Sequence, residues 1–269
     1  MTDKINILKI RELRKRTGVG IVECKEALIR SQGNIEQSID YLRTLGYAKV
    51  LKRIHCEMLH GSIFIHINDN KGVMLELNCE TDFVANSKEF ITFGQQVLSI
   101  AALNSIKEID ELRNICKNEI INFMNKVNEN VCIRRLFFLE NKNFISYLHG
   151  TRIGVFVIAD NIMSDNRSVI KKIAMHIAFS KPEFLTIEEI PSKIINREYS
   201  IQSDIVTKMN KPKIVFDKII QGKMNRFKEE ITLLEQFFVM EPKKRIKQVL
   251  QENNLVLSFF KRFEVGELL

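Results

Sequence analysis

At 269 residues the chain is long enough for two or three compact units, and a 45% hydrophobic content supplies them with cores. No run of about 18 apolar residues occurs, which argues against a transmembrane helix, and the opening Met1-Thr2-Asp3-Lys4-Ile5-Asn6 lacks the apolar stretch of a secretory signal. The net charge of +8 is dispersed over a chain rich in Ile, Lys and Asn, so it reads as a solvated basic surface rather than a phosphate-binding one.

The five cysteines (Cys24, Cys56, Cys79, Cys116, Cys132) are scattered, with neither CxxC spacing nor a Cys/His cluster. A disulfide framework and a zinc site are therefore unsupported, and a reducing, cytoplasmic setting is the natural reading.

Residues 5–50 read as three short helices forming a bundle that resembles the ubiquitin-associated fold. Ile7, Ile10 and Leu13 recur at helical spacing until Thr17-Gly18-Val19-Gly20. Cys24, Ala27 and Leu28 line a second helix up to Gly33, which suits a left-handed cap. Asn34 with Gln37 three residues on is a capping-box pattern, followed by Ile35, Ile39 and Leu42. Ile21 and Val22, right after a Gly-x-Gly loop, suit either core or an exposed knob. Lys49–His60 reads as a polar, basic linker.

The period then changes to two. Ile63, Ile65 and Ile67, a turn at Asn68-Asp69-Asn70-Lys71-Gly72, and Val73, Leu75 and Leu77 predict a hairpin with one buried face. At its end stands Thr81-Asp82-Phe83-Val84, an acid and an aromatic where a plain turn would use Gly or Asn. Two readings are open: Asp82 caps the next helix with Phe83 buried beneath it, or the pair is an exposed working tip. Ser87 suits the N-cap of a helix carrying Phe90, Phe93, Val97 and Ile100. One further helix is expected through Ile109, Leu112, Cys116, Ile120, Phe123 and Val127, so that two helices cover one sheet face.

A second β unit is read from Val131–Glu140, Phe144–His149 and Ile153–Asp160, followed by a helix with Ile170, Ile173, Ala174 and Ile177. His-Gly steps at His60 and His149 and strand-opening glycines at Gly72 and Gly154 suggest a weak internal duplication. Pro191 opens a helix with Ile194, Ile201, Ile205 and Met209; Asn210-Lys211-Pro212 breaks it. Phe216, Ile220, Met224, Phe227, Ile231 and Leu234 complete a coiled-coil-like helical hairpin. Leu255–Val265 is a last strand.

The fold class is thus α+β, with a three-helix N-terminal bundle, a duplicated core of antiparallel sheets and an inserted helical hairpin. The expected divisions are 1–54 for the bundle, 55–140 for the first core half, 141–186 with 236–269 for the second, and 187–235 for the hairpin. No P-loop, dinucleotide fingerprint, HExxH helix or GxSxG elbow is present, and the five histidines lack metal-ligand spacing. Covalent catalysis, a metal and a cofactor are all unsupported. What remains is a protein that acts by contact.

Several stretches resemble one known family, translation elongation factor Ts. They include Ile10–Gly20 with Cys24–Leu28, Glu76–Ala85, His149–Val155, Ala174–Ala178, Lys181–Phe184, Phe238–Pro242 and Arg262–Gly266, in family order over nearly the whole chain. The resemblance implies a guanine-nucleotide exchange factor whose protein partner is elongation factor Tu, GDP-bound or nucleotide-free. It implies that Asp82 and Phe83 enter the partner's GTP-binding domain beside its magnesium site, with Thr81, Asp82, Phe83 and Val84 as the stretch that dislocates the ion. By position, Arg14, Ile21 and Val22 would touch that same domain and His149 a different one. The Ile21-Val22 pair stands where many members have methionines. The hairpin would be a self-association element, giving a homodimer; direct nucleic-acid or membrane binding is not implied.

Two departures bear on this. The chain stops at Leu269, where some members continue into a helix that clasps the partner, so a smaller contact area is expected. In Val127-Asn128-Glu129-Asn130 an Asn stands where Gly is common, so a different backbone is expected. A basic RNA- or ribosome-binding protein without exchange activity is the alternative from another class.

Overall fold

The computed structural model describes residues 7–17, 19–52, 58–68, 70–207 and 215–267. It is mixed helix and antiparallel sheet, and it divides into two compact units. One runs to Glu140 and takes in the tail from Glu264; the other is Asn141–Phe263.

The first unit opens with α1 (Ile7–Thr17), α2 (Ile21–Arg30) and α3 (Ile35–Lys52), which enclose Leu13, Cys24, Ala27, Leu28 and Leu42. Gly33 has φ +80°, and its N–H donates to the Leu28 carbonyl at 2.8 Å, so the glycine supplies the left-handed turn that ends α2. Asn34 Oδ1 accepts from the Gln37 N–H at 3.2 Å. Helix α3 extends to Lys52, further than the polar composition after Lys49 implies; residues 53–57 of the expected linker lie outside the described residues.

Strands β1 (His60–Asn68) and β2 (Lys71–Cys79) pair antiparallel with His60 opposite Cys79. Asp69, within the expected turn, lies outside the described residues. The expectation of one buried face fails for β2, where every residue from Gly72 to Cys79 is buried. It is the central strand, since β3 (Val131–Glu140) pairs back onto it in the order β1-β2-β3, and both of its faces are covered. Val131–Glu140 therefore completes the first sheet rather than opening a second.

Over one face lie α5 (Lys88–Leu103), α6 (Ile109–Ile115) and α7 (Lys117–Val127), packing Phe90, Phe93, Leu112 and Phe123 against Leu75 and Leu77. Gly94 is required here, since a Cβ would sit 2.1 Å from the Phe64 ring. The single helix expected over Ile109–Val127 is two, with Cys116 (φ −87°, ψ 9°) as the joint. Both i→i+4 bonds through Cys116 survive, so apolar spacing continues across a bend that periodicity alone cannot register.

On the other side of β2, Glu76 is fully buried between two arginines. Its carboxylate accepts from Arg134 Nη1 at 3.0 Å, from Arg135 Nε, and from the Gly266 N–H at 3.0 Å. Arg135 Nη2 also donates to the Glu264 carbonyl at 2.6 Å, so the tail is tied to the sheet's centre. A buried carboxylate is tolerated only when paired in this way.

The second unit repeats the plan. Strands β4 (Phe144–His149) and β5 (Ile153–Asp160) pair antiparallel, and β8 (Val256–Glu264) completes the order β4-β5-β8. Helix α8 (Arg167–Ser180) buries Ile170, Ile173, Ala174 and Ile177 against Val155 and Val157, as its spacing predicts. Helices α9 (Ser192–Thr207) and α10 (Phe216–Ile231) pack on each other through Val206, Ile220 and Met224.

The apolar stripe expected on α9 is not its packed face. Ile201 and Ile205 are exposed, while Ile195 and Val206 pack on α10 with Gln202 beside them, accepting from Lys223 Nζ at 3.0 Å. A partly polar seam hides its register from a count of isoleucines. Met209 and Asn210-Lys211-Pro212 lie outside the described residues. Strands β6 (Phe237–Phe238) and β7 (Glu241–Arg245) and helix α11 (Ile246–Glu252), which buries Ile246, Val249 and Leu250, fill a stretch for which no element was expected.

Candidate functional site

The central strand β2 ends at Cys79, and two residues later the chain enters α4 (Asp82–Ala85), a helix of 4 residues. So short a helix forms too few hydrogen bonds to offset its own nucleation. Its order is supplied from both ends. Thr81 (φ −123°, ψ 156°) is the N-cap, its Oγ1 accepting from the Val84 N–H at 3.3 Å. At the far end, Asn86 Nδ2 donates to the Asp82 carbonyl at 2.8 Å, and Ser87 Oγ donates to the Val84 carbonyl at 2.7 Å. Ser87 Oγ also accepts from the Phe90 N–H, capping α5 as its position predicts.

A second segment grips the root of this turn. After α7, Asn128 adopts the left-handed conformation (φ 58°, ψ 28°), which Asn tolerates better than most residues. The backbone there is thus of the kind a glycine takes. Glu129 then faces the turn: Oε1 accepts from Thr81 Oγ1 at 2.7 Å and Oε2 from the Thr81 N–H at 3.1 Å. In return, Glu80 Oε1 accepts from the Asn130 N–H at 3.1 Å.

The four residues of the motif therefore do different things. Thr81 caps and anchors, and Val84 packs partly into the core. Asp82 is exposed, and Phe83 is 84% exposed. The reading in which Asp82 caps the next helix over a buried Phe83 is overturned on both counts: Thr81 and Ser87 are the caps, and the aromatic points into solvent. Phe83 therefore projects from a turn whose backbone is capped at both ends.

Cys79, just behind the turn, is fully buried, and its thiol donates to the Thr81 carbonyl at 3.1 Å. Burial, reinforced by the Glu129 charge, pushes that thiol up to about 12, so it is not a nucleophile at neutral pH. Among the described residues no group of three or more His, Cys, Asp or Glu is placed to hold a metal ion, and no helix is long and apolar enough to cross a membrane.

Arg14 lies exposed on α1, and Ile21 and Val22 at the start of α2 are 55% and 67% exposed, which settles them as surface knobs. His149 is exposed at the end of β4, its Nδ1 sharing a 2.8 Å hydrogen bond with the Tyr147 hydroxyl. Glu129 and Glu80 were not singled out by sequence reasoning. The one signal near Glu129 was the Asn in its loop, where Gly is common.

A family model described as Elongation factor TS matches residues 80–267. The Elongation factor Ts of Buchnera aphidicola subsp. Acyrthosiphon pisum (strain 5A) is 44% identical over 259 residues, 96% of each chain. That of Photorhabdus laumondii subsp. laumondii is 42% identical over 260 residues, 96% of this chain and 91% of the relative. That of Cronobacter sakazakii is 41% identical over 258 residues, 96% of this chain and 90% of the relative. On a match of this extent, the chain belongs to the elongation factor Ts family of translation elongation factors.

Proposed function

We propose that this chain is a guanine-nucleotide exchange factor that binds elongation factor Tu, GDP-bound or nucleotide-free, and accelerates GDP release so that GTP can reload during protein synthesis. The observation that carries this is Phe83, 84% exposed on a turn held at both ends. A guanine nucleotide is held by a P-loop's backbone N–H groups and by Mg²⁺ bridging its phosphates. Thr81, Asp82, Phe83 and Val84 form the element that dislocates that ion: Thr81 and Val84 root the turn, Asp82 and Phe83 enter the partner. Disturbing the ion and the loop raises the nucleotide's off-rate with no covalent step, so the chain acts by protein contact and needs no cofactor of its own. By linkage, a factor that binds nucleotide-free partner better must weaken nucleotide binding by the same ratio.

In this reading residues 1–54 are a ubiquitin-associated-like module that docks on the same GTPase domain through Arg14, Ile21 and Val22. Residues 55–140 and 141–186 with 236–269 are the two core halves, the second contacting the partner through His149. The segment 187–235 is a helical hairpin through which two copies associate, and the setting is the cytoplasm. The test is stopped-flow release of a fluorescent GDP analogue from elongation factor Tu. Acceleration by micromolar chain is the expected result, and an unaltered release rate refutes the reading.

A further inference from the structure

We infer that Glu129 is a positioning residue for the projecting turn, completing from a distant loop a capping box that the turn's own sequence leaves half made; this rests on the exchange-factor reading. In a capping box the N-cap side chain accepts from the N3 backbone N–H, and the N3 side chain accepts from the N-cap backbone N–H. Here the first half is present, with Thr81 Oγ1 accepting from the Val84 N–H at 3.3 Å. The N3 residue is Val84, which has no acceptor to return. Glu129, 48 residues along the chain, takes that part: its Oε2 accepts from the Thr81 N–H at 3.1 Å.

Its other oxygen adds a second constraint. Thr81 Oγ1 donates its proton to Glu129 Oε1 at 2.7 Å, which leaves the hydroxyl's lone pairs turned toward Val84 N–H. The carboxylate thereby sets the hydroxyl's direction, and the hydroxyl sets the first turn of α4, on which Asp82 and Phe83 are carried. The reciprocal bond from Asn130 N–H to Glu80 Oε1, 3.1 Å, holds the two segments in register. Val at N3 is explained by the same geometry, since Val84 packs on the core cluster that a Glu there would have to leave. The core contact and the capping acceptor cannot share one side chain, so the acceptor comes from the α7–β3 loop.

A residue that acts this way lowers the fraction of molecules with a competent tip without removing the docking surface. In the free chain, Glu129→Ala is expected to speed amide hydrogen exchange at Thr81 and Val84 with the urea unfolding midpoint nearly unchanged. In GDP release from elongation factor Tu, it should lower the saturating rate by up to about fivefold, the most that a lost cap of about 1 kcal/mol removes, with the half-saturating concentration, set by the docking surface, kept within about twofold. Glu129→Ala added to Phe83→Ala should cost less than it does in the wild-type background, because the carboxylate acts through the tip and only Asp82 is left there to misplace. Thr81→Val, which removes the hydroxyl that Glu129 orients, should lower the saturating rate in the same direction as Glu129→Ala.

Unchanged exchange at the Thr81 and Val84 amides, an undiminished saturating rate, or an equal loss in the Phe83→Ala background each overturns the inference. If the wild-type chain does not accelerate release, the exchange-factor reading falls, and the two amides alone decide whether Glu129 holds the turn.

Discussion

Truncating Phe83 should separate activity from stability, and the structure sets the size of both effects. The ring is 84% exposed, so only about a sixth of its surface is covered. A Phe buries roughly 200 Å² when enclosed; a sixth of that, at about 25 cal/mol per Å², is less than about 1 kcal/mol. The Phe83 backbone keeps its place because the caps belong to Thr81, Asn86 and Ser87. Phe90, one turn into α5 and fully buried between Phe64 and Phe123, is the control. Its truncation removes a core ring and should cost about 3–5 kcal/mol. For exchange the order reverses. An aromatic anchor seated in a partner pocket is worth about 2 kcal/mol or more on truncation, which is roughly a thirtyfold loss in the rate of GDP release. Urea unfolding of both variants, alongside stopped-flow release from elongation factor Tu, reads the two quantities independently. Phe83→Ala that unfolds as early as Phe90→Ala, or that releases GDP as fast as wild type, refutes the reasoning.

Three further outcomes follow from buried groups. Glu76→Ala leaves Arg134 and Arg135, whose side chains are 20% and 12% exposed, facing an empty carboxylate site; the loss should be about 3–5 kcal/mol by urea unfolding. His176 is buried, its Nδ1 accepting from the Val239 N–H at 3.3 Å and its Nε2 bonded to Gln236 at 2.8 Å, and burial holds its pKa below the usual 6.5. The unfolded chain therefore binds a proton first as pH falls through about 6.5, so stability falls with pH from there down to the lowered native value, by up to about 1.4 kcal/mol per pH unit. His176→Gln should flatten that slope in urea titrations at stepped pH. Burial pushes the Cys79 and Cys116 thiols up to about 12 and about 11, so alkylation at pH 8, mapped by mass spectrometry, should reach these two only on unfolding.

How far the sequence carries depends on whether the information is local. The helices α5 and α8 were legible because their signals lie within one segment: a cap and a stripe in α5, Ser87 with Phe90 and Phe93, and a stripe alone in α8, Ile170 with Ile173 and Ile177. The pairing of β3 with β2 was not, since nothing in Val131–Glu140 names a partner 52 or more residues back. The joint at Cys116 escaped for a different reason: it bends the helix while preserving the spacing that defines it. Asp82 and Phe83 stood out by being wrong for a plain turn, but only burial tells an exposed aromatic from a buried one, and burial is a property of the assembled core. Family resemblance pointed to the motif. It did not point to Glu129.

A four-residue helix presenting an exposed aromatic is the kind of element that ought to be mobile, and mobility would blunt a wedge. The groups that order α4 lie behind it or beside it: Thr81 at the strand end, Asn86 and Ser87 ahead of the next helix, Glu129 on the loop after α7. None of these is asked to enter the partner, and none of the tip's forward side chains is asked to hold the fold. The entropy of fixing the turn is thus met during folding by the sheet and the helices, and it need not be met again at the encounter. The same division lets Phe83 stay in water at little cost to stability. The side chains that face solvent and the groups that fix the backbone beneath them are thus separate residues, and each set can change without the other.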